Sequence, residues 1–111
     1  MRAGVQRLPG EGVGGVSEAD LQRAVIDLCR WLGLAYFHDN DSRRNRAGFP
    51  DLVVCGSGGF LFRELKSATG RLRPEQLDWL ARLEQGGADA AIWRPADLES
   101  GRIKDELVAI R

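Results

Sequence analysis

The sequence predicts a mixed α/β domain, a four-stranded mixed sheet flanked by helices in the order α-β-β-β-α-β-α. Three observations predict it. Apolar residues recur at helical spacing between Ser17 and Leu32 and again after Pro74. Two short apolar runs meet at Cys55-Gly56-Ser57-Gly58-Gly59, a turn signal of the kind that joins antiparallel strands. The second run, the helix after Pro74 and the apolar stretch Ala88 to Trp93 then form a strand-helix-strand unit, whose right-handed crossover makes the last pairing parallel and the sheet mixed.

A chain of 111 residues is one domain with one core. Its 43% hydrophobic and 29% charged residues are those of an ordinary soluble protein. No apolar run approaches the roughly 20 residues of a membrane span, and the first residues lack the apolar core of a secretory signal, so a cytoplasmic location without membrane contact is expected. Cys29 and Cys55 stand apart, one in a helical pattern and one in a strand, and read as small buried apolar residues. With His38 the sole histidine, a structural zinc or an iron–sulfur cluster is excluded as a reading. Formal net charge is zero, so nucleic-acid binding by bulk charge is disfavoured and a local patch is required.

Residues 1–16, with five glycines and little to bury, read as a disordered tail before a domain spanning 17–111. Ser17 is a helix cap, Glu18 and Asp20 suit the positive end of the dipole, and Leu21, Ala24, Val25, Leu28 and Leu32 form the buried stripe that stops at Gly33. Glu18 at the helix mouth is read either as a dipole-complementing surface acid or as part of a site. Leu34 to His38 is the first strand. The connection from His38 to Gly48 is too long for a tight turn and carries Arg43, Arg44 and Arg46, the basic cluster of the chain. It is either a solvated loop or a phosphate contact, since arginine forks match phosphate oxygens.

A hairpin closed symmetrically about Ser57-Gly58 sets Val53 opposite Phe62 and Asp51 opposite Glu64, with Lys66 pointing to the same side. Two carboxylates about 5 Å apart repel by roughly 3 kcal/mol at an effective dielectric near 20. Lys66 offsets part of this, and a divalent cation held by oxygens would offset the rest. The alternative is a solvated salt-bridge face. Beyond it, Ser67 to Arg73 is a polar loop with Arg71 and Arg73, and Pro74 starts a helix whose stripe is Leu77, Leu80, Ala81 and Leu83, ended by Gly86-Gly87. Gln76 lies at the edge of that stripe and needs a polar partner, either the helix start or the Asp51/Glu64/Lys66 cluster. After the fourth strand, Arg94-Pro95 breaks the run and Ile103 to Ile110 forms a final short helix.

In order, Glu18, Gly48-Phe49-Pro50-Asp51, Glu64-Leu65-Lys66-Ser67, Gly70, Pro74-Glu75-Gln76 and Trp93-Arg94-Pro95 resemble the VRR-NUC branch of the PD-(D/E)XK nuclease superfamily. The resemblance implies a restriction-endonuclease-like core and phosphodiester hydrolysis in DNA, with a homodimer acting on junctions or flaps. It implies Mg²⁺ or Mn²⁺ held by Glu18, Asp51, Glu64 and the backbone carbonyl of Leu65. Lys66 would position and help deprotonate the attacking water or stabilise the charge developing on the phosphate, Gln76 would orient Lys66 or the water, and Ser67, Arg71, Arg73 and the Arg43/Arg44/Arg46 cluster would hold the DNA backbone. A nucleic-acid-binding module that no longer cuts, and a plain interaction domain, are the competing classes.

Overall fold

The structure, a computed structural model, describes residues 16–39 and 47–111. The segment read as a tail, apart from Val16, and Arg43, Arg44 and Arg46 lie outside the described residues. Val16 packs against the core. Helix α1 (Glu18–Trp31) begins where Ser17 caps it, its Oγ accepting from Asp20 N–H at 3.0 Å. Strands β1 (Ala35–His38), β2 (Leu52–Gly56) and β3 (Gly59–Leu65) follow, then α2 (Pro74–Gln85), β4 (Ala90–Trp93), α3 (Pro95–Glu99) and α4 (Arg102–Ile110). The sheet order is β1-β2-β3-β4, antiparallel but for the parallel β3/β4 pair. Gly56 pairs with Gly59 and Val53 with Phe62, so the hairpin turn is Ser57-Gly58 in the predicted register.

Alternation along the strands gives the sheet two unlike faces. Leu52, Val54, Leu61 and Leu65 turn to one side and form the core with Leu21, Val25 and Cys29 of α1 and Ile103 and Leu107 of α4. By the same alternation Arg63 points into this core and is only 2% exposed. Its guanidinium is tied to Asp89 and Glu106 carboxylates, both at 2.9 Å, and stacks 5.0 Å from the Trp93 ring centroid. Glu106 Oε1 also accepts from Trp93 Nε1 at 2.8 Å, while Arg102 Nε bonds its other oxygen at 2.7 Å. Glu106 thus fastens α4 to β3 and β4. Glu106→Ala is expected to cost about 3 kcal/mol, because it removes an acceptor from two buried donors at once. Arg82→Ala, which breaks only the exposed Asp78 pair, is expected to change stability by less than about 0.5 kcal/mol; thermal unfolding of both variants checks this.

The other sheet face carries Val53, Cys55, Phe60, Phe62 and Glu64 and is covered by α2 only in part. Here the structure corrects two expectations. Leu77 is 52% exposed and Ala81 is exposed as well, because α2 is rotated to turn Gln76, Leu80 and Leu83 inward; Gln76 is its one buried residue. Cys55 is exposed and Cys29 buried: Cys55 lies on the second face, opposite to the core-facing Val54. A short helix, α3, also stands where the sequence reading placed only a break. Pro95 is its first residue, and the Asp97 carboxylate accepts from Arg94 N–H at 2.8 Å.

Candidate active site

The site lies where the second face runs out beyond the hairpin's apolar rows. Leu52 pairs with Arg63, so the residue before it, Asp51, falls level with Glu64. The Asp51 carboxylate accepts Leu65 N–H at 3.2 Å, and its carbonyl accepts Asp39 N–H at 2.9 Å. Gly48 sets the approach of this segment. Its φ is +88°, and a Cβ there would stand 2.5 Å from the Glu75 carbonyl carbon, so only glycine lets the Gly48-Phe49-Pro50 turn press against the first turn of α2. Phe49 then wedges edge-on between Phe62 and Trp79, with centroids 6.0 and 5.0 Å away.

Glu64 is 3% exposed. Gln76 Nε2 donates to its Oε2 at 2.8 Å, and Lys66 Nζ stands 3.8 Å from the same oxygen. The other end of the Gln76 amide accepts Arg73 N–H at 2.9 Å. Both partners weighed for Gln76 are therefore present in one amide, which joins the start of α2 to the acidic cluster.

Burial pushes the Asp51 carboxyl up to about 6; the Leu65 N–H and the charge of His38 hold it down in part, and Glu18 adds to the rise. Glu64 is pushed up to about 7, first by burial and next by the charge of Asp51, with Lys66 opposing and Glu18 adding. Two acids that ionise with such reluctance make a buried, electron-rich pocket with one ammonium beside it.

A cleft of about 440 Å³ opens over this pair. Glu18, Asp51, Glu64, Lys66, Arg73 and Gln76 all line it, so the predicted acids, lysine, glutamine and one predicted arginine share a single concavity. Ser67 and Arg71 do not line it. They sit in the adjoining loop, Arg71 exposed. Gln22, His38, Asp39 and Phe49 also line the cleft and were missed in the sequence. Gln22 stands one turn beyond Glu18 on α1, and His38 pairs with Leu52, the neighbour of Asp51.

Among the described residues, no three of His, Cys, Asp and Glu are gathered closely enough to form a ready-made cation site. The donor set nonetheless suits a hard cation. Asp51 and Glu64 offer carboxylate oxygens held by neighbouring N–H groups, and burial raises the affinity of both for protons, a cost that a divalent cation would offset. Glu18 lies exposed at the cleft edge. At Leu65 the group in contact with an acid is the N–H.

The model of the VRR-NUC domain matches residues 6–97. The chain belongs to the VRR-NUC family. A solved structure described as a VRR_NUC domain protein superimposes with a TM-score of 0.60 at 20% identity, covering 82% of this chain and 89% of the other. At that identity the likeness speaks for the fold, a VRR-NUC mixed sheet with flanking helices. No curated protein sequence matches the chain. The VRR-NUC domain is of nuclease type.

Proposed function

We propose that this VRR-NUC domain is a metal-dependent endonuclease that hydrolyses DNA phosphodiester bonds. The observation that carries the reading is the buried Glu64 level with half-buried Asp51, with Lys66 and Gln76 on the same Glu64 oxygen, in one open cleft. Asp51 and Glu64, with Glu18 turned inward and the Leu65 carbonyl, would hold Mg²⁺ or Mn²⁺. Such an ion supplies Lewis acidity toward the phosphoryl oxygens and lowers the pKa of water. Lys66, as an ammonium, places a cation where negative charge develops on the phosphate and orients the nucleophilic water. Gln76 fixes the Glu64 carboxylate and so the distance between Glu64 and Lys66. Arg73 at the cleft wall, with Ser67, Arg71 and the cluster Arg43, Arg44 and Arg46, would hold the DNA backbone.

Incubation with branched, nicked and linear DNA, with and without Mn²⁺, tests this: cleavage that needs the metal is expected, and branched substrates are expected to be cut first. A non-cutting DNA-binding module is the second reading. It is favoured by one observation, that the acids are not already gathered as a cation site, and metal-independent binding without cleavage would establish it.

We also propose that two copies associate. Phe37 and Phe60 are 63% and 54% exposed, and with Val53, Cys55 and Phe62 they make an uncharged patch across β1, β2 and β3. An uncharged apolar patch on a chain of zero net charge meets its own copy without repulsion. Sedimentation is expected to give a dimer that Phe60→Glu converts to monomer. A wild-type monomer at tens of micromolar contradicts it.

A further inference from the structure

Arg94 has no role in the site as described, yet its guanidinium is committed to the loop that follows Lys66. Its Nη1 donates to Ser67 O at 2.6 Å and to Gly70 O at 2.8 Å. Gly70 N–H closes a turn on the same Ser67 carbonyl at 3.3 Å. One residue earlier in β4, the Trp93 carbonyl accepts Lys66 N–H at 3.1 Å. The end of β4 therefore grips both the backbone of Lys66 and the turn beyond it. That turn folds back on the lysine: a Cβ at Gly70 would lie 3.0 Å from Ser67 Oγ and 3.4 Å from Lys66 Cδ.

The path from guanidinium to ammonium is short. Arg94 holds the Gly70 carbonyl, Gly70 stands beside the Lys66 stem where an added Cβ would come within 3.4 Å of Cδ, and the Lys66 Nζ ends 3.8 Å from Glu64. Lysine has four rotatable bonds and a large rotamer entropy, so a stem walled on one side confines the ammonium. The far end of the same loop is pinned by Gln76 through Arg73 N–H. Arginine suits this clamp because the two N–H bonds of Nη1, held in the guanidinium plane, each serve one carbonyl oxygen as a charge-assisted donor.

We propose that Arg94 is a positioning residue for Lys66, acting through the Ser67–Gly70 turn without touching DNA. This rests on the nuclease reading, in which Lys66 works at the phosphate. A misplacement of about 1 Å in such a group costs up to about 100-fold in rate.

The test is the steady-state kinetics of Arg94→Met and Gly70→Ala with Mn²⁺, alongside amide hydrogen exchange of residues 67–73. Expected are a kcat lower by about 10- to 100-fold with KM for DNA within twofold, and exchange at those amides at least tenfold faster in Arg94→Met. Arg94→Lys, which keeps a charge but loses the planar guanidinium that aims Nη1 at both carbonyls, should fall between. Gly70→Ala carries the test if Arg94→Met does not fold, because it disturbs the same wall from the other side. Unchanged kcat in either folded variant, or a loss that appears only in KM, overturns the proposal. Unchanged exchange overturns the clamp itself. If the wild type shows no metal-dependent cleavage while exchange still quickens, the nuclease reading fails and the clamp stands as a purely structural one.

Discussion

Lys66→Ala and Asp51→Asn are each expected to lower metal-dependent DNA cleavage by at least about 100-fold while leaving the fold intact. The reasons differ. Lys66 is half-buried beside Glu64, and its removal takes away the cleft's ammonium, the group that faces the charge developing on a phosphate; a single such electrostatic group is worth about 10² to 10³ in rate. Asp51 is level with Glu64 and locked by the Leu65 N–H. Asparagine keeps the size and accepts the same hydrogen bond, but offers no charge to a divalent ion. The first variant should still bind Mn²⁺ and the second should bind it poorly. Single-turnover cleavage with saturating enzyme measures both, and activity within tenfold of wild type in either variant contradicts the assignment.

The second large effect is on stability and follows from the same two acids. Folded Asp51 ionises at about 6 against an ordinary 3.8, and Glu64 at about 7 against 4.5. Both are raised, so the native protein holds protons that the unfolded chain has released. Their stabilising contribution is fully present below about pH 4 and is lost as pH rises through about 7. At 1.36 kcal/mol per pH unit, each shift amounts to on the order of 3 kcal/mol, and the pair to less than twice that because part of the rise in Glu64 is the charge of Asp51. Without metal, the melting temperature is expected to fall by about 10 °C or more between pH 5 and pH 8. Mn²⁺ added at pH 8 should restore most of it, and Glu64→Gln should flatten the pH dependence. Differential scanning fluorimetry across that range decides. A metal-free protein that is equally stable at both pH values contradicts the raised proton affinity of Asp51 and Glu64.

Much of this was legible in the sequence wherever the information is local. Ser57-Gly58 between two apolar runs fixes the register of β2 and β3, and the register alone brings Asp51 level with Glu64. Gln76 was conspicuous as an amide beside a leucine stripe. The leucines themselves misled, since periodicity names a stripe but not which of two adjacent stripes meets the sheet, and turning Gln76 inward leaves Leu77 outside. Nor could local pattern place Arg63. The alternation of β3 sends it to the core face, and what makes that tolerable, Asp89 and Glu106, lies 26 and 43 residues away. Helix α3 was hidden because Arg94-Pro95 reads equally as a break and as a start; Asp97 two residues on was the sign of a start. The cleft walls Gln22, His38 and Asp39 depend on how α1 and β1 lie against β2, which no spacing reports.

The central claim is that Asp51 and Glu64 share a divalent cation in this cleft. Calorimetric titration of Mn²⁺ into the protein at pH 8 tests it most directly. One ion per chain is expected, with affinity reduced at least tenfold in both Asp51→Asn and Glu64→Gln and little changed in Lys66→Ala. Binding of equal strength in the wild type and both acid variants, or no binding at millimolar Mn²⁺, would contradict it.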